Sequence, residues 1–145
     1  AFQHARAVFF ILDNVDYLGR ESGRYQGCLG TEQIAFVRSV LAHVPLDRLV
    51  VLSMHIPLRS YLAPDEPSDV TSDFAELLAL LRDRQHSVSF SGHLHATEHH
   101  YLPIPGARHG SAPHHHHVLT AASGRAVVLR APRRAVRYPS SRIWA

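Results

Sequence analysis

Apolar side chains along this chain fall into short continuous runs that alternate with stretches of helical period. "AVFFIL", Ala7 to Leu12, is an unbroken apolar run ending at Asp13-Asn14, as expected of a buried strand. Gly19, Gly23, Gly27 and Gly30 then punctuate a polar loop. Thr31 offers a hydroxyl to cap "EQIAFVRSVLAHV", where Ile34, Val37, Val40 and Leu41 recur at helical spacing until Pro45. "RLVVLSM", Arg48 to Met54, predicts a second buried strand that stops at His55. A loop from Ile56 to Ser68 follows, holding Pro57, Pro64 and Pro67. Ser72 or Asp73 starts a second amphipathic helix, with Phe74, Leu77, Leu78 and Leu81 on one face. "HSVSFSG", ending at Gly92, is a third strand, and "HVLTAAS", His117 to Ser123, a fourth after a loop rich in Gly and Pro. Two strand–helix–strand passages in succession predict a layered α/β domain.

At 145 residues the chain is one domain or part of one. Its 46% hydrophobic content fits a globular protein and argues against disorder. No apolar run approaches the ~20 residues needed to span a bilayer. The opening "AFQHARAVFF" lacks the features of a targeting peptide and reads as the middle of a protein. Cys28, the single cysteine, has no partner for an internal disulfide, and no chemistry is assigned to it. All 15 basic residues are arginine, and seven of them follow the last acid, Glu98. A basic end attracts anionic partners. Here no aromatic residues alternate with the arginines to stack bases, which argues against a nucleic-acid module.

The candidate chemistry lies in histidine. His55 and the His93/His95 pair of "GHLH" each come directly after a predicted buried strand. In layered α/β folds ligands collect at the carboxyl ends of strands. A lone histidine there is usually only a polar loop residue. Two such placements in one small domain point to a metal, because neutral imidazole ligates Zn, Fe, Mn and Ni. Gly92 is expected to permit the tight backbone path that this requires.

"GHLH" with an upstream "VVLSMHIPL" resembles the C-terminal half of the calcineurin-like metallophosphoesterases. "FFILDNVDYLG" and "YQGCLGTEQIAFVRSVLAHVP" resemble earlier blocks of a bacterial branch of that family, so the likeness runs from about Ala7 to Ser123. The resemblance implies an α/β, layered β-sandwich flanked by helices, of which residues 1–124 form the incomplete C-terminal part. It implies two divalent ions (Mn, Fe, Zn or Ni), one held by His55 and His93 and the other by His95. The ions, about 3.5–4 Å apart, would activate a hydroxide against a phosphoester substrate. The family's Asp-x-His, Gly-Asp-x-x-Asp and Gly-Asn-His-Asp/Glu motifs do not occur here. The chain therefore reads as half an active site, inactive alone, from a parent that hydrolyses phosphate mono- or diesters. The alternative is a non-catalytic metal-binding or interaction module derived from the same fold.

His99 reads as a solvated loop residue and as the one remaining candidate for a catalytic acid. The run His114 to His117 reads as native, with one member able to contact the site. Asp13 and Asn14 are expected to cap a strand end and order the next loop. Tyr17 and Tyr25 are expected to pack, with a place on the cleft rim as the alternative.

From Gly124 onward the family pattern, a Ser-Trp-Trp-like segment and then Pro-Asp-Glu-Arg, is lost. Residues 125–145, "RAVVLRAPRRAVRYPSSRIWA", carry six arginines and no acid, and are expected to be poorly packed. Arg133-Arg134 as CGA-CGA, after a Pro codon ending in C and before a codon beginning with G, spells Pro-Asp-Glu one frame over. Sequencing the coding DNA should reveal the missing Trp and Pro-Asp-Glu-Arg in a neighbouring frame. Their absence from both alternative frames would rule out a frame change.

Overall fold

The structure, a computed structural model, describes residues 1–18 and 23–121. The expectation of a poorly packed tail from 125 to 145 lies outside those residues, as do the domain boundary at 124 and Gly19. In chain order the elements are β1 (Phe2–His4), β2 (Ala7–Ile11), β3 (Val15–Tyr17), β4 (Tyr25–Gly27), α1 (Gly30–Leu41), β5 (Leu49–Ser53), α2 (Phe74–Ala79), β6 (Ser87–Ser91), β7 (Glu98–Pro103) and β8 (His114–Leu119). The chain is thus mixed α/β. Six strands form one sheet in the order β1-β2-β5-β6-β8-β7, and β3-β4 is a separate hairpin. β2, β5, β6 and β8 run parallel, while β1 and β7 pair antiparallel at the two edges. No described helix is long and apolar enough to cross a membrane.

The predicted strands at β2, β5 and β6 and both helices are present. The fourth strand starts at His114, not His117, so the histidine run lies inside the sheet. β7, carrying "EHHYLP", was not anticipated. Both helices cover the same face of the sheet: Val8, Phe10, Val50 and Leu52 share one core with Ile34, Val37 and Leu41 of α1 and Leu77 and Leu78 of α2. Burial of these side chains supplies the main favourable term for the fold.

Half-buried Asp73 and buried Arg84 fix the two ends of α1. The Thr31 cap is not realised, because α1 begins one residue earlier, at Gly30. Asp73, itself the residue before α2, fills that role from a distance: its carboxylate accepts from the Leu29 amide at 3.0 Å and the Gly30 amide at 2.8 Å. An acid there also suits the positive end of the helix dipole. The Cys28 thiol donates to the same carboxylate at 3.4 Å, so the cysteine does have a partner. Burial first, and then the Asp73 charge, push the thiol pKa up. At the other end of α1, buried Arg84 donates to the carbonyls of Leu41 (2.5 Å), Val44 (2.7 Å) and Pro45 (2.8 Å). The Leu41 and Pro45 carbonyls also accept from the Val44 and Arg48 amides, at 3.1 and 3.2 Å, so the Val44 carbonyl depends most on Arg84. Gly27 is required by space, since a Cβ there would meet the Val70 carbonyl oxygen at 2.4 Å.

The sheet's other face is open. Phe2 stacks on Phe9 with centroids 4.8 Å apart, and Ile11, Phe90 and Tyr101 are exposed on that side. No described element covers it, and the described residues contain one large sheet and not two.

Replacing Arg84 by Leu removes a side-chain donor from all three carbonyls and leaves that of Val44 without its donor. Urea unfolding should show a loss of about 2–4 kcal/mol. A loss under half a kcal/mol would mean that water caps the helix equally well.

Candidate functional site

β5 and β6 run parallel in register, with Leu52 beside Ser89 and Ser53 beside Phe90. Their carboxyl ends therefore open at the same edge of the sheet. The ladder continues beyond both strands: the Met54 amide donates to the Phe90 carbonyl and the Gly92 amide to the His55 carbonyl, each at 3.1 Å. This brings two of the predicted ligands together. His93 Nδ1 lies 3.1 Å from His55 Nε2, with ring centroids 4.9 Å apart and planes at 70°. On its other side, His93 Nε2 lies 3.1 Å from Asp69 Oδ1. Tyr25 meets the His93 ring edge-on at 5.8 Å, so it does border the site, and Tyr17 packs on Tyr25 at 6.4 Å.

A carboxylate only accepts hydrogen bonds. Neutral His93 therefore donates from Nε2 to Asp69 and presents its bare Nδ1 toward His55. Two imidazole nitrogens bound to one ion at about 2.0–2.1 Å lie about 2.9–3.4 Å apart, from octahedral to tetrahedral angles. The observed 3.1 Å falls in that window. A carboxylate on the far nitrogen is the partner that metal-bound histidines commonly have. The pair thus fits one edge of a coordination sphere. The rest of the sphere is not assembled: among the described residues, no group of three or more His, Cys, Asp or Glu is placed to hold an ion. His95 is exposed and has no hydrogen bond or ring contact with the pair among the described residues.

Asn14 secures the main chain that carries His55. Fully buried, it accepts at Oδ1 from the amides of His55 and Ile56, both at 3.1 Å. Its Nδ2 donates to the Ile56 carbonyl at 2.6 Å and to Thr71 Oγ1 at 2.8 Å. All four of its hydrogen-bonding positions are used. The Asn14 side chain therefore orders the loop after β5, not the one that follows it in sequence, and Asp13 Oδ1 accepts from the Val15 amide at 3.2 Å.

The backbone of "GHLH" turns tightly, with the Leu94 amide donating to the Gly92 carbonyl at 2.9 Å. Gly92 does not take the left-handed conformation; His93 (φ 71°) and His95 (φ 52°) do. A non-glycine residue there costs about 1–2 kcal/mol. Ala5, between β1 and β2, takes the same conformation at φ 50°.

The remaining histidines divide by strand alternation. His99 lies on the open face, 3.2 Å from His116 and tilted against Tyr101, and it makes no contact with His55 or His93. His100 Nε2 pairs with Glu98 at 2.7 Å under the Tyr61 ring. His115 and His117 point into the core and are fully buried. They alternate with Ser87, Ser89 and Ser91 of β6 in one hydrogen-bonded ladder. Desolvation, reinforced for His115 by His117 and His116 and for His117 by His100 and His99, lowers both pKa values to about 3.

Sequence reasoning passed over Asp69, Thr71 and the inward histidines. Asp69 sits in the Pro-rich loop with no motif around it; only its position between His55 and the next helix hinted at a role. The serines at every second position of "SVSFS" facing histidines at every second position of "HHHH" were the available signal for the ladder. Comparison of the chain with known protein families and with curated proteins finds no match to either.

The buried ladder makes stability depend on pH on the acid side. In the unfolded chain His115 and His117 take up protons near pH 6.5, whereas in the fold they stay neutral down to about 3. Between those values the unfolded state binds more protons, so stability falls as pH falls, by up to about 1.4 kcal/mol per histidine per pH unit. Urea midpoints across this range should show that dependence, with a smaller slope in His115→Gln. An unchanged slope would place the proton uptake elsewhere.

Proposed function

We propose that this chain carries the histidine half of a two-metal phosphoesterase centre, whose parent protein hydrolyses phosphate mono- or diesters. The supporting observation is the pair itself: two imidazole nitrogens 3.1 Å apart at the carboxyl ends of adjacent parallel strands, with Asp69 behind one of them. His55 and His93 hold one divalent ion (Mn, Fe, Zn or Ni), and His95 belongs to the second. The ions, when bound, supply an activated hydroxide and positive charge opposite the phosphoryl oxygens. The chain's own contribution is orientation. Asp69 fixes the His93 tautomer, Asn14 fixes the main chain at His55, and Tyr25 walls one side. The open apolar sheet face is then the inner face of a sandwich, covered in the parent by a second sheet. His99 has no part in this centre.

One observation favours a second reading, a non-catalytic metal-binding module: no third ligand joins the pair among the described residues. The two are separated by activity of the parent. Calorimetry should show Zn2+ or Mn2+ uptake by this chain at micromolar or weaker affinity, lost in His93→Ala with His95→Ala. Equal uptake by that variant would move binding to His114 and His116. The chain alone should not turn over a chromogenic phosphodiester or monoester, while the parent should, and His55→Ala should abolish it. An inactive, metal-loaded parent would leave the binding module. Turnover by this chain alone, abolished by His55→Ala, would mean that other residues complete the site.

A further inference from the structure

We infer that His117, which touches neither His55 nor His93, is a positioning residue for that pair: its Nε2 ties the loop after His55 to the strand that delivers His93. The Leu58 amide, three residues beyond His55, lies 3.2 Å from His117 Nε2. Ser91 Oγ, two residues before His93, lies 3.3 Å from the same nitrogen. Leu58 is fully buried, so its amide has no solvent to turn to, and an unmet donor there is costly.

The proton count along the ladder follows from that one amide. A main-chain N–H only donates, so His117 Nε2 carries no proton and the neutral ring is protonated at Nδ1. His117 Nδ1 then donates to Ser89 Oγ at 2.7 Å. The single hydroxyl hydrogen of Ser89 is left for His115 Nε2 at 2.8 Å. His115 in turn donates from Nδ1 to Ser87 Oγ at 2.8 Å. The bonds from the Leu58 amide through to Ser87 point the same way, from the 55–58 loop into the sheet, while Ser91 Oγ donates to the same bare Nε2 from β6; both histidines are held as the Nδ1–H tautomer. A chain of this kind resists local rearrangement, because rotating one member leaves its neighbours mispaired.

Asn14 holds His55 and Ile56 from one side, and His117 holds Leu58 from the other. Between them the loop has no freedom to slide along β6, so the spacing of the two imidazoles is set by the core. What the pair binds is taken from the phosphoesterase proposal; that His117 sets its spacing is not.

The test uses the 145-residue chain, with His117→Leu, which deletes the acceptor, and His117→Gln, whose amide oxygen restores one to the Leu58 amide. Long-range proton–nitrogen NMR of the wild type should show Nδ1–H and bare Nε2 at both His115 and His117. A proton on His117 Nε2 overturns the inference. Amide exchange at Leu58 should quicken at least about tenfold in His117→Leu and return in His117→Gln, with Ile56 unchanged in both. Unchanged Leu58 exchange in His117→Leu overturns it. Zn2+ affinity should fall about tenfold or more in His117→Leu and recover to within about threefold in His117→Gln; equal affinity in all three proteins overturns it. Should the wild type take up no Zn2+ through His55 and His93, the phosphoesterase proposal fails alone. The ring resonances of His55 and His93 then decide, moving in His117→Leu and returning in His117→Gln, or staying put and sinking the inference. If His117→Leu does not fold, His117→Asn takes its place, its oxygen being too short to reach Leu58.

Discussion

Parallel strands cannot be joined by a tight turn, so pairing β5 with β6 obliges the chain to leave the sheet, cross one face and return. That crossing is the segment from His55 to His86, with its Pro-rich loop and α2. Because the two strands end level, both exits lie at one edge, and the main-chain ladder runs on into the exits through Met54 and Gly92. The nearness of His55 and His93 is therefore a product of strand register. So is the place of Asp69: the returning loop passes over the exits and is tied down through Thr71, which donates its amide to the Pro57 carbonyl and meets Asn14 side chain to side chain.

Unusually many of the groups that fix this arrangement are polar and buried. Asn14, Thr71, Arg84, Ser89, His115 and His117 are all in the interior, and no buried side-chain nitrogen or oxygen among the described residues lacks a partner. A purely apolar core tolerates rearrangement of its contacts. A satisfied polar ladder does not, because each donor needs its own acceptor. The apolar cluster under α1 and α2 supplies the bulk of the stability, and the polar set adds directional contacts that only one arrangement of the donors and acceptors satisfies.

Much of the parallel framework was legible in the sequence, because "AVFFIL", "RLVVLSM" and "HSVSFSG" are short apolar or alternating runs with sharp ends. The helix faces were legible for the same reason. The edge strands were not: β1, with its three exposed residues, and "EHHYLP" of β7 gain their structure from a neighbour. "HHHH" was misplaced because histidine is a weak marker of strands, and its burial depends on serines over twenty residues away. At the site, His55 and His93 could be anticipated from their places after strands. Asp69 could not, since its approach to His93 depends on the path of a loop without periodicity. Nor could the cap of α1, which comes from Asp73 and not from adjacent Thr31. The second sheet of the expected sandwich has no counterpart among the described residues, and the exposed Phe90 and Ile11 face is where one would lie.

The left-handed backbone at His93 and His95 has a consequence for how this segment can drift over generations. At most positions in a protein, losing a functional side chain is neutral for the fold. At these two it is favourable, because glycine, and to a lesser degree asparagine, adopts that backbone with less strain. Relaxed selection would therefore erase the pair faster than an ordinary surface histidine, replacing it by residues that make the molecule more robust. The backbone at both positions is thus one that glycine would hold with less strain than the imidazoles that stand there.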